Sequence, residues 1–183
     1  MERKPTDIME DEHRVILRTV DMMAALAKNL EAGRPVEADV LRDIVHFLRM
    51  YADKYHHGKE ETHLFTLLAA RGVPTQGCPL GALTAEHQEG RALVTELAQA
   101  VETYAAAVPS THEALVQSLH GLTELYPNHI WKEDFLLFPM TNKVLSPEDQ
   151  AALYERFEAV DDALGRDLHR QFEQMVAGLE QRL

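Results

Sequence analysis

Apolar positions recur along the chain at three- and four-residue intervals and nowhere in sustained alternation, which predicts helices and no strand. A first amphipathic stretch opens at Pro5-Thr6-Asp7, where Asp7 and Glu10 form a capping-box pattern, and runs to about Glu31. Gly33-Arg34-Pro35 breaks it. A long second helix is expected over about 37–71, a loop over 72–79, a third helix over 80–107 and a fourth over 110–142, opened by Ser110 with Glu113. Ser146-Pro147 is an N-cap followed by proline in the first turn, so 146–183 reads as a helical tail, split at Gly165. Long helices with short connections pack as antiparallel neighbours. The expected architecture is all-α: an antiparallel up-down four-helix bundle with a C-terminal helical extension. It forms one domain over 1–183, with its core at about 7–142 and its tail at 146–183.

Two patterns occur twice, in the same order. Glu-His appears as Glu12-His13 and Glu86-His87, and His-x-x-x-Glu as His56…Glu60 and His129…Glu133. A phenylalanine follows each of these glutamates by five residues, Phe65 and Phe138. The chain therefore reads as two copies of one helical hairpin. Residues at one level of an antiparallel hairpin are equidistant from its turn. The midpoints of His13/His56, His56/His87 and His87/His129 fall at 34.5, 71.5 and 108, each beside a Gly or Pro break. Four histidines on four helices are thus expected at one level of the bundle.

Residues four, eight, eleven and fifteen before a helical position share its face. For His56 these are Ala52, Leu48, Val45 and Leu41; for His57 they are Asp53, Arg49, His46 and Arg42. His56 is expected to point inward and His57 to solvent, along with His46, His112, His120 and His169. His13, His87 and His129 continue apolar faces through Leu17, Leu83 and Leu125. Carboxylates among imidazoles in an apolar core carry a cost of several kcal/mol unless paired, and divalent cations remove it. His13, His56, Glu60, His87, His129 and Glu133 are the expected metal ligands, with Glu60 and Glu133 able to bridge two ions. Imidazole with carboxylate suits iron, manganese or zinc. His63 and Glu61 are rivals for a place in the site, while Glu10, Glu12 and Glu86 read as capping or solvated-face acids. Trp131 and the Leu-Phe runs read as packing. A ferritin-like pattern fits only once, at Glu60-x-x-His63, since Leu136 stands at the matching position after Glu133.

Composition narrows the classes. Eighteen Lys and Arg against thirty Asp and Glu give a net charge of −12, which argues against nucleic acid or an anionic membrane as partner. The single cysteine, Cys78, excludes an internal disulfide and a cysteine metal cluster. The opening MERKPTDIMEDEH has no apolar signal core and no stretch is apolar enough to span a bilayer, so a cytoplasmic location is expected.

The segments HHGKEETHLF, EHQEGR and HIWKEDFLLFP, with the earlier Glu-His, resemble bacterial hemerythrin-like proteins, the HHE cation-binding family, over roughly 7–142. The resemblance implies two non-haem iron ions, oxo- or hydroxo-bridged, at the six residues named above, with other divalent metals able to replace iron in recombinant protein. It also shows departures. Where invertebrate oxygen carriers have a second third-helix histidine, this chain has Arg91, and its fourth-helix acid is Glu133 rather than aspartate. One histidine ligand is thus missing or supplied from elsewhere. The expected function is binding of a small diatomic or peroxide ligand, for sensing, storage or delivery of oxygen or nitric oxide. The alternatives are a di-iron enzyme (peroxidase, catalase-like or nitric oxide-reducing) and iron storage or donation.

Overall fold

The computed structural model describes residues 3–107 and 111–183. Six helices and no strand occur among them. Helix α1 is Pro5–Glu31, α2 spans 38–70, α3 is Leu80–Ala105, α4 spans 111–144, α5 is Pro147–Leu164 and α6 is Leu168–Glu180. The turns expected at 33–36 and 72–79 are present; the one expected at 108–110 lies outside the described residues. Helices α1 to α4 form a ring in which α1 packs on α4, α4 on α3 and α3 on α2. Thr6 at the start of α1 meets Asn142 at the end of α4, and Tyr104 at the end of α3 bonds Val36 before α2, as an up-down bundle requires. No described helix is long and apolar enough to cross a membrane.

Local chemistry sets most boundaries. Pro5 stands in the first turn of α1, and Asp7, three residues past the N-cap rather than at it, accepts from Lys4 N–H at 2.8 Å. Gly33 takes the left-handed φ of 69° that lets the chain leave α1, its N–H bonded to Leu30 O. Ser146 caps α5 through Asp149 N–H, and Gly165, at φ 118°, separates α5 from α6. Helices α2 and α4 contain wider, π-type turns at Leu48–His57, Glu60–Leu64 and Glu133–Leu137. There the N–H bonds the carbonyl five residues back: Gly58 to Asp53, Phe65 to Glu60, Phe138 to Glu133. The repeated five-residue spacing from glutamate to phenylalanine is the span of one such turn.

Two apolar clusters lie on either side of a polar layer. One is built from Ile16, Leu26, Leu41, Phe47, Tyr51, Leu97 and Leu119 and extends through Phe172 and Val176 of α6. The other joins Met9, Leu64, Phe65, Leu83, Leu137 and Phe138 to Leu153 and Phe157 of α5. The tail is thus part of the core, packed on α1 and on the α2 side. Leu64-Phe65 and Leu137-Phe138 pack as expected, but Trp131, Phe135 and Leu136 lie exposed on the outer face of α4.

Candidate metal centre

The polar layer is where the two halves of the repeat meet. His13, His56, His87, His129, Glu60 and Glu133 are all buried, with the two carboxylates fully enclosed. Nε2 of His13 stands 3.0 Å from Nε2 of His56, and Nε2 of His87 stands 3.1 Å from Nε2 of His129. Glu133 reaches both pairs, one oxygen 3.1 Å from His13 and the other 3.2 Å from His129. Glu60 lies 3.4 Å from His87 and 3.8 Å from His56. All six side chains expected from the sequence are therefore brought together. His63 is half-buried and joins neither cluster of possible ligands, and Glu61 sits one step outside them.

His57 departs from expectation. It is buried, not solvent-facing, and groups with Glu60, His87 and His129, while His13, His56, Glu60 and Glu133 form the other set. The α-helical face count fails here because Leu48–His57 is wound as a π-helix, which turns less per residue and brings the position after His56 inward as well. The His57 ring stacks on His87, centroids 3.9 Å apart.

Outside the imidazoles is a ring of four carboxylates: Glu12 and Glu86, expected from the sequence as capping or solvated-face acids, Glu61, expected as a rival for the site itself, and Asp134, which no sequence pattern singles out. Glu12 accepts from Nδ1 of His56 at 2.8 Å, and Glu86 from Nδ1 of His129 at 3.0 Å. Asp134 accepts from Nδ1 of His13 at 2.7 Å, and Glu61 from Nδ1 of His87 at 2.6 Å. A lysine three residues after each His of the His-x-x-x-Glu motif completes the pattern: Lys59 bonds Glu12 at 2.7 Å and Lys132 bonds Glu86. The halves differ in burial. Lys59 is fully enclosed, 3.0 Å from Asp161 of α5 and 3.6 Å above the Tyr55 ring, whereas Lys132 is about one-third exposed. The signal for this outer ring was in the repeat itself, since Glu12, Glu86, Lys59 and Lys132 recur at matching positions beside the motifs.

These partners fix the protonation of the site. A carboxylate only accepts, so Nδ1 of each of the four histidines carries the hydrogen, and Nε2 of a neutral ring is a lone pair. Two lone pairs facing each other at 3.0 Å repel unless a cation lies between them. None of the four oxygens of Glu60 and Glu133 has a hydrogen-bond donor. Without a metal, protons must substitute. Burial pulls His13 down, but Asp134 and Glu133 outweigh it and hold its pKa up at about 9. Burial likewise opposes charge on His129, yet Glu133 and Glu86 hold it at about 10. Burial pushes His56 down to about 3 and His57 well below its usual value. Burial would raise Glu133, but His129 and His13 keep it well below the usual carboxylate range.

The donor set fits divalent ions. Two imidazole nitrogens bound to one ion at about 2.1 Å and at a right angle stand about 3 Å apart, which is the observed spacing. Each ring also has the outer carboxylate that commonly orients a metal-bound histidine.

Comparison with known proteins agrees. Uncharacterized protein Rv1995 of Mycobacterium tuberculosis and uncharacterized protein Mb2018 of Mycobacterium bovis are each 27% identical over 154 residues, 84% of this chain and 59% of the relative. The chain thus spans about three-fifths of the length of those relatives. No solved structure matches it. The model of the hemerythrin HHE cation binding domain matches residues 4–141, enclosing every residue of the polar layer, and the chain belongs to that family.

Proposed function

We propose that this protein holds two iron ions and binds a small diatomic or peroxide ligand at them. The observation that carries the reading is the pair of enclosed carboxylates, Glu60 and Glu133, left without donors between two opposed imidazole pairs. His13 and His56 would hold one ion, His87 and His129 the other, with Glu60 and Glu133 shared. His57 supplies the further imidazole whose usual third-helix position is Arg91 here. Imidazole with carboxylate and no thiolate favours iron, manganese or zinc, and the family favours iron. When bound, a pair of iron ions supplies reversible electron exchange with a small ligand.

The protein's own groups do the rest. The four outer carboxylates hold the rings with Nε2 inward. Phe138 stacked on His13 and Phe65 stacked on His87 exclude water from two sides. The test is metal analysis and absorption spectroscopy of protein purified without oxygen. About two iron ions per chain, and a charge-transfer band that changes reversibly with oxygen or nitric oxide, are expected. A single ion bound away from these side chains would refute the site. Sustained peroxide turnover would instead establish an enzyme, and loss of iron to a mild chelator would establish iron donation.

A further inference from the structure

The first hairpin carries two aromatic side chains that the second lacks. Tyr51 and Tyr55 are both buried on α2, while Glu124 and Asn128, at the equivalent positions of the repeat on α4, are exposed. The tail accounts for the burial, since Phe172 of α6 packs on the Tyr51 ring and Asp161 of α5 reaches Lys59 beside Tyr55.

The Tyr51 hydroxyl stands 2.5 Å from Nδ1 of His169, a half-buried residue of α6. It has no other acceptor among the described residues, so it donates, and Nδ1 is the lone pair that receives. Burial, and then the charges of Glu12, Glu173, Asp11 and Asp161, hold the Tyr51 phenol well above its ordinary pKa, so it stays protonated. An electron can therefore leave Tyr51 only together with the proton, and His169 is the base in place to take it. Glu12 faces His169 as well and favours the imidazolium that results.

Inward from this pair, the Tyr55 ring lies 5.4 Å from that of Tyr51, and its face lies 3.6 Å from the Lys59 ammonium. Lys59 bonds Glu12 at 2.7 Å, and Glu12 bonds Nδ1 of His56 at 2.8 Å. The path thus ends on the ligand set with two imidazoles, His13 and His56, where the di-iron reading leaves a place for a small ligand.

We propose that Tyr51 and His169 form a redox-active pair through which oxidising equivalents left at the centre by a hydroperoxide reach the surface, where a one-electron reductant of the phenol or hydroquinone class quenches them. A hydroperoxide takes up two electrons. Ferrous ions supply them, but once these are ferric the electrons must come from side chains. Tyr51 passes one electron inward and its hydroxyl proton to Nδ1 of His169, leaving a neutral phenoxyl radical. The reductant returns one electron to the radical, and His169 returns the proton. Two such passes supply the two electrons that, with the two protons the reductant releases, turn hydrogen peroxide into two molecules of water.

The inference rests on the di-iron reading, and its test separates the two. Iron-loaded protein in the ferric state is mixed with hydrogen peroxide, frozen rapidly and followed by electron paramagnetic resonance, with metal content measured in parallel. A tyrosyl radical is expected, and hydroquinone should abolish it. Tyr51→Phe keeps the ring that packs on Phe47 and Phe172 and should lose the signal at unchanged iron content. It should also lose iron faster than wild type under repeated peroxide. His169→Gln keeps an acceptor but removes the base, and should slow radical formation about 100-fold. Tyr126→Phe, which removes the hydroxyl of a buried tyrosine beside His57, should keep the signal. A signal of full size in Tyr51→Phe, or no radical in iron-loaded wild-type protein, would overturn the relay and leave the centre standing. Wild-type protein that takes up no iron at these side chains would overturn the relay and the proposed function together.

Discussion

Glu12, in the first third of α1, accepts the Nδ1 hydrogen of His56 at 2.8 Å across the first hairpin. The same carboxylate neutralises Lys59, so one side chain orients a metal-facing ring and balances a fully buried cation. Glu86 does both jobs for His129 and Lys132 in the second hairpin, but nearer solvent. Glu12→Ala leaves the enclosed Lys59 with Asp161 as its remaining carboxylate and His56 Nδ1 without an acceptor, and should destabilise the fold by about 2–3 kcal/mol. Glu86→Ala should cost about 1 kcal/mol or less, because Lys132 can turn to water. Both should weaken metal binding about 10- to 100-fold. Denaturant unfolding and metal titration of the two variants check this, and equal unfolding costs would contradict the asymmetry.

His57→Ala removes an imidazole from one ligand set and none from the other. Metal analysis should show one ion retained and the second weakened, whereas His63→Ala should keep both. Full binding of two ions by the His57 variant would return His57 to a packing role.

The pH response of the metal-free protein follows from its histidines. His13 and His129, held at about 9 and about 10, keep protons that the unfolded chain releases above its reference value of 6.5. That contribution to stability is full below pH 6.5 and is lost as pH climbs toward 9 to 10. His56, pushed to about 3, refuses a proton that the unfolded chain accepts below 6.5, so stability also declines on the acid side. Metal-free protein should be most stable near pH 6.5. Metal must displace the protons on His13 and His129, so its affinity should rise with pH. Calorimetry should show the melting-temperature gap between loaded and metal-free protein widening from pH 6.5 to pH 8. A constant gap would mean that the ions do not compete with these protons.

Phe157 of α5 is 1% exposed, packs in the second apolar cluster and lies 5.7 Å from the Lys59 ammonium. Phe157→Ala should cost about 3–5 kcal/mol through the cavity it leaves. Wild-type stability in this variant, measured by thermal unfolding, would show that the tail does not contribute to the core.

The helices and the level of the four histidines were legible because glycine and proline punctuation and the repeat spacing are local signals. The tail's two helices were legible from Ser146-Pro147 and Gly165 in the same way. His57 was not, because its burial depends on π turns whose hydrogen bonds no residue type announces. Glu12 and Glu86, each taken singly beside its histidine, carry the signature of solvated-face acids. Their partners sit on neighbouring helices and are visible only when both copies of the repeat are overlaid. Trp131 and part of the second Leu-Phe run, Phe135 and Leu136, are exposed against expectation, because an apolar side chain does not by itself say which way a helix face turns.

The carboxylate ring has a consequence for assembly. Asp134 of α4 holds His13 of α1, and Glu61 of α2 holds His87 of α3, so each hairpin lends a restraint to a ring of the other. Phe138 and Phe65 make the same exchange as ring covers. Alone, the first hairpin would have His13, His56 and His57 and the second His87 and His129, each with a single ring oriented by a carboxylate of its own and one of the two shared carboxylates. Ion capture therefore reports a completed bundle: neither half can begin it early, and a chain caught half-folded has no competent trap in which to sequester the wrong metal.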